Sequence, residues 1–181
     1  MLHQTLIYHP ATPSDLVSQL TATVSELTED HIQISYQLNG DLSQLLIPEL
    51  QAPSASDNLW KHSCFELFIA QADTENYYEF NFSPSTLWAA YAFKSYRVRR
   101  QCDIKHALKI YVSQTLNQLQ VDVTLDLTDL SLSNDDKNWL IGLSAVIETK
   151  HNDLSYWAIK HPEAQPNFHH RDGFILYTPL T

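Results

Sequence analysis

From Leu119 to Leu127 every second residue is apolar: Leu119, Val121, Val123, Leu125 and Leu127. The same alternation runs through Ile32, Ile34, Tyr36 and Leu38. A period of two puts successive side chains on opposite faces of an extended backbone, so each segment reads as a strand with one buried face. Turn residues follow or precede these segments. Asn39-Gly40 closes the segment ending at Leu38, and Asn117-Gln118 turns a hairpin from a strand around Ile110 and Val112 into the one beginning at Leu119.

Period two dominates the rest of the chain. Leu59–Ala70 reads as one long strand, and Tyr77–Phe82 as another with Tyr78, Phe80 and Phe82 on one face. Trp88–Phe93 and Trp139–Ile147 carry apolar residues on both faces, which predicts strands covered on both sides. Tyr156–Ile159 is the last clear strand before Pro162. Leu16–Leu27 fits a helix through Val17, Leu20, Val24 and Leu27, but its β-branched, Thr and Ser residues favour a strand. Pro, Asp, Asn and Ser gather into loops at 48–58, 83–85, 131–138 and 162–167. The expectation is all-β: a single antiparallel β-sandwich domain over residues 1–181, jelly-roll-like in type. The 181 residues, 44% of them hydrophobic, suffice for one domain with a sizeable core.

Composition removes several functions. The three glycines, Gly40, Gly142 and Gly173, are too far apart for a dinucleotide fingerprint, a P-loop or a nucleophile elbow. With 21 acidic against 11 basic residues the net charge is −10, which disfavours nucleic acid and anionic membranes as partners. Cys64 and Cys102 form no C-x-x-C and suggest a reducing compartment. The first ten residues lack the basic and apolar regions of a signal peptide, and no apolar run approaches the ~20 residues that span a bilayer. A soluble, cytoplasmic protein is expected.

The window 57–97 concentrates the chemistry. On a strand through Trp60, His62, Cys64 and Glu66 these even positions share a face; on Tyr77–Phe82 the odd positions Tyr77, Glu79 and Asn81 do so. If the two strands are neighbours, Glu66, Glu79 and Asn81 line one polar concavity beside Trp60. Aromatic faces stack on sugar rings, while carboxyls and amides fix the hydroxyls, so the set suits a carbohydrate. The plainer alternative makes Trp60 a core residue and pairs Glu66 and Glu79 with Arg97, Arg99 or Lys94 at the surface. Trp88, Tyr91 and Phe82 are assigned to the core.

Leu59-Trp60-Lys61-His62-Ser63-Cys64-Phe65-Glu66-Leu67-Phe68, Tyr77–Ser85, Trp88–Tyr91 and Tyr96-Arg97 resemble a bacterial group of DOMON-like proteins related to the family 9 carbohydrate-binding modules. Tyr156–Ile159, His161-Pro162 and Pro166–His169 look like the closing motif of that group. The resemblance implies a β-sandwich with a ligand site on its concave face, where two Trp rings hold a terminal sugar. It makes Trp60 and Glu66 the first Trp and the Glu, Trp157 the second Trp, and Asn81 and Arg97 further polar contacts. Calcium accompanies many relatives, although no dense Asp/Asn loop marks a site here.

The expected function is therefore non-catalytic binding of a mono- or oligosaccharide, or of a sugar-containing metabolite, by Trp60, Glu66, Glu79, Asn81, Arg97 and Trp157. Two other readings stay open. The first is a metal- or haem-binding sensor or electron-transfer module using His161, His169 and His170, although the spacing matches no zinc motif, Met1 is the sole methionine and C-x-x-C-H is absent. The second is a carbohydrate hydrolase with Glu66 and Glu79 as its carboxyl pair.

Overall fold

The computed structural model describes residues 1–28, 30–102, 104, 108–130 and 138–177. In chain order the strands are β1 (Leu2–Tyr8), β2 (Val17–Leu27), β3 (His31–Gly40), β4 (Cys64–Gln71), β5 (Tyr77–Phe82), β6 (Trp88–Ser95), β7 (Val98–Arg100), β8 (Lys109–Gln114), β9 (Gln118–Asp126), β10 (Trp139–Glu148), β11 (Leu154–Ala158) and β12 (Ile175–Tyr177). They form one antiparallel sheet in the order β7-β6-β5-β4-β10-β11-β1-β2-β3-β9-β8, with β12 also paired to β10. Among the described residues no helix is long and apolar enough to cross a membrane.

The sheet folds on itself about β1. Leu2–Leu6 pair with β2, whereas Ile7 and Tyr8 pair with β11. Two layers result, and the main core lies between them. One layer contributes Leu20, Ile34, Tyr36 and Val121; the other contributes Phe65, Leu67, Phe80 and Leu143. The Tyr36 ring sits 5.1 Å from that of Phe65 and 6.4 Å from that of Phe82, stitching the layers together.

The two layers differ in what covers them. β3 and β9 alternate buried and half-buried residues, as a sheet with one solvated face must. Every residue of β4 and β5 is buried. Their outer face is covered by the C-terminal segment, which builds a second small core of Phe68, Ala70, Tyr77, Phe93 and Phe174. Gly142 permits this docking, because a Cβ there would lie 2.6 Å from the Phe174 ring.

The strand assignment of Leu16–Leu27 holds, and β2 also explains the helix-like spacing. Its register against β3 shifts between Val17 and Gln19 and again between Val24 and Glu26. Each bulge inserts one residue and inverts the parity, so buried positions fall three apart at Val17 and Leu20 and at Val24 and Leu27. The strand expected from Leu59 starts only at Cys64. Asn58 takes a left-handed conformation (φ 62°) and leads into a single 3-10 turn, Leu59–Lys61. Strands β1, β7 and β12 were not anticipated. Phe82 is core as expected and Trp88 packs against the core half-buried. Tyr91 is instead half-buried on the outer face, where its hydroxyl donates to Asp57.

Candidate functional site

The outer face of β4, β5 and β10 opens into a cleft of about 580 Å³ beside the C-terminal segment. Its floor follows from strand register. Glu66 stands opposite Asn81, and Phe68 opposite Glu79, on adjacent strands. Glu66 also pairs with Ser144 on its other side. The two carboxyls therefore share a single face, as the alternation predicts.

Three kinds of wall surround this floor. Trp60 reaches the cleft from the 3-10 turn and keeps 42% of its surface exposed. Arg97 and Arg99 enter from the β6–β7 hairpin, where Arg97 takes a left-handed φ of 56°. Tyr156, Pro166, Phe168 and His169 close the remaining side, with the Tyr156 and Phe168 rings 6.0 Å apart.

The floor is buried and internally bonded. Glu66 is 2% exposed and its Oε2 accepts from the Ser144 hydroxyl at 3.2 Å. Glu79 accepts from Asn81 Nδ2 at 2.9 Å through Oε1. Burial, with the neighbouring Glu79, pushes the Glu66 carboxyl well above the usual carboxylate range. Burial also raises Glu79, against the pull of Asn81, Arg99 and Arg97. Asn81 is fully buried, yet its Oδ1 has no donor. A buried acceptor without a donor is costly, and Glu66 stands opposite it in the strand register.

His169 is held as the neutral imidazole. The Tyr77 hydroxyl accepts the Arg97 main-chain N–H at 3.0 Å, leaving its own proton for His169 Nδ1 at 2.8 Å. Burial, with Arg97 and Arg99 nearby, lowers the His169 pKa to about 4. The 3.6 Å approach of His169 Nε2 to Glu79 is thus a neutral contact and not an ion pair at pH 7.

The structure sorts the sequence candidates. Trp60, Glu66, Glu79 and Arg97 border the cleft together. Asn81 lies behind the floor and acts on Glu79. Trp157 is a correction. It is 4% exposed in the main core, with its indole N–H donating to Ser155 Oγ at 2.9 Å. Strand parity is the reason: Tyr156 stands in register with Val146 on the cleft side, so its neighbour Trp157 faces inward. The surface ion pairs offered as the plainer reading do not form; among the described residues Glu66 and Glu79 meet no Arg or Lys within 4 Å.

The C-terminal histidines have separate partners. His161 Nε2 donates to the Ile7 carbonyl at 2.8 Å, and His170 Nδ1 accepts the Asp172 N–H at 3.3 Å. Among the described residues no three His, Cys, Asp or Glu side chains converge. Cys64 and Cys102 are thiols and not a disulfide, Cys64 buried and Cys102 half-buried.

Arg99, Tyr156 and Phe168 were missed. Arg99 has the same parity as Arg97 and stands opposite the cleft residue Phe93, so its placement was available from the hairpin once β7 was recognised. Phe168 lies in a loop and carried no periodic signal.

No family model matches this chain, and no curated protein does. Solved structures do share its fold. A candidate carbohydrate-binding protein from Bacteroides uniformis superposes with a TM-score of 0.73 at 12% identity, over 98% of this chain and 86% of that one. A family 9 carbohydrate-binding module from Caldicellulosiruptor kristjanssonii, solved with glucose, gives 0.59 at 5% identity, over 96% and 83%. At these identities the likeness establishes the architecture: an all-β antiparallel fold of the family 9 carbohydrate-binding-module type.

Proposed function

We propose that the cleft binds a saccharide non-covalently and performs no chemistry on it. The observation that carries this reading is the position of Trp60, an exposed indole at the edge of a cleft floored by two hydrogen-bonding carboxyls. An indole exposed at a cleft edge offers a broad apolar ring face, and such a face suits the apolar face of a pyranose. The cleft volume of about 580 Å³ falls within the roughly 300–1,000 Å³ range of small-ligand sites. Glu66 and Glu79 take the hydroxyls from below, Arg97 and Tyr156 from the sides. The two structural neighbours, one solved with glucose, support a sugar as the ligand.

Hydrolysis is disfavoured by the floor itself. A glycosidase needs one carboxyl ionised and one protonated, flanking the bond to be cut. Here both carboxyls are buried side by side on one sheet face, Glu66 opposite Asn81 and Glu79 opposite Phe68 on adjacent strands. Calorimetric titration with a panel of mono- and disaccharides tests the reading. One sugar should bind saturably, Trp60→Ala should weaken it about tenfold or more, and aryl glycosides should release nothing. Turnover that stops with Glu66→Gln would instead establish the hydrolase.

A further inference from the structure

The chain carries a net charge of −10, yet the side chains that rim its cleft include two guanidiniums, Arg97 and Arg99. Neither reaches a carboxylate within 4 Å among the described residues. Arg97 Nη2 donates to the neutral Asn167 Oδ1 at 3.0 Å. The Arg99 guanidinium stacks on the Tyr91 ring at 4.1 Å from its centroid. A stacked guanidinium is positioned through its face and keeps its in-plane N–H donors for another partner. The nearby carboxylates have partners of their own. Asp57 accepts from Tyr91, and Glu163 accepts from Asn167 Nδ2 at 2.7 Å.

The floor does not pair with this rim. Glu66 is bonded by the Ser144 hydroxyl and Glu79 by Asn81 Nδ2, so neither floor carboxyl is tied to an arginine. His169, bound by the Tyr77 hydroxyl, adds no charge. Two guanidiniums thus reach the cleft of a strongly acidic protein with no carboxylate bonded to either among the described residues, and the walls of a cleft strengthen the field of such charges.

We propose that the cleft selects an anionic saccharide, a sugar ring bearing a carboxylate or a phosphate, with Arg97 and Arg99 taking the charged group while Trp60 faces the ring. The guanidinium fork matches both oxyanions in two-point geometry. This rests on the saccharide reading above and narrows it.

Calorimetry with glucose, glucuronate and glucose 6-phosphate at pH 7, in low salt and in added NaCl, tests it. At least one anion should bind about tenfold or more tightly than glucose, with the advantage shrinking as salt rises. Whichever anion wins identifies carboxylate or phosphate as the group recognised. In Arg99→Gln, an exposed position whose folding circular dichroism checks, the anion-to-glucose affinity ratio should fall close to one. Equal affinity for glucose and both anions overturns the anionic selection alone. An anion preference that survives in both Arg99→Gln and Arg97→Gln overturns the role of the guanidiniums. Binding of none of the three, with none in the wider sugar panel, overturns the saccharide reading and this one together.

Discussion

The Tyr36 hydroxyl donates a 2.8 Å hydrogen bond to the main-chain carbonyl of Glu66. One residue thus anchors the far layer of the sandwich to the strand that carries the cleft floor. The bond is buried, and Tyr36 is fully enclosed. Tyr36→Phe should cost about 1–2 kcal/mol, because the carbonyl loses its donor in a dry core. The urea midpoint measures this, and an unchanged midpoint would show that the bond is dispensable.

Glu66 makes stability depend on pH with a definite sign. Its folded carboxyl releases its proton at higher pH than the unfolded one, near 4.3. Above that value the native state binds more protons than the unfolded state, so this group's contribution falls as pH rises toward its folded value. Glu66→Gln keeps the shape, can accept from Ser144 and can donate to Asn81. The variant should gain stability over the wild type between pH 5 and 8, with the gap widening as pH rises. A gap independent of pH would mean that Glu66 is ionised in the native protein.

His169 acts in the opposite direction. Its folded pKa, about 4, lies below the ordinary 6.5. Between these values the unfolded state binds the extra proton, so stability is lost as pH falls through this window, by an amount of order 3 kcal/mol. Replacing His169 by Asn should flatten the wild-type decline from pH 6.5 to 4.5 in thermal melts. A decline of equal depth in the variant would place the acid-labile group elsewhere.

Gly142 tests the covering of the outer face. A methyl there would meet Phe174 at 2.6 Å and the Phe68 Cβ at 3.1 Å. Gly142→Ala should displace the C-terminal segment, cost about 1–3 kcal/mol, and open residues 159–174 to protease. Unaltered proteolysis would show that the segment accommodates the methyl.

How far the sequence reached follows from the periodicity of each element. Alternation located β3 and β9, and the two-faced apolar runs marked β10 as interior. It also brought Glu66, Glu79 and Asn81 to one face, because strand parity is a local property. It failed wherever geometry interrupted the period. Asn58 and the 3-10 turn that follows it delayed the strand until Cys64, past Trp60, and two bulges disguised β2. Trp157 was placed by resemblance, and parity with its neighbour Tyr156 turned it into the core. The docking of Phe168 and Phe174 depends on long-range contacts that no local pattern encodes. Residues 131–137 of the expected loop at 131–138 lie outside the described residues.

Trp60 is the most exposed of the four tryptophans; Trp139 and Trp157 are 5% and 4% exposed, and Trp88 is half-buried. A ligand entering the cleft therefore reports mainly through Trp60. Intrinsic fluorescence during titration with neutral and anionic sugars is the most direct measurement. The account predicts a saturable change for at least one sugar that disappears in Trp60→Ala. No change across the panel at millimolar sugar would contradict it and leave the likeness to carbohydrate-binding modules as one of fold alone.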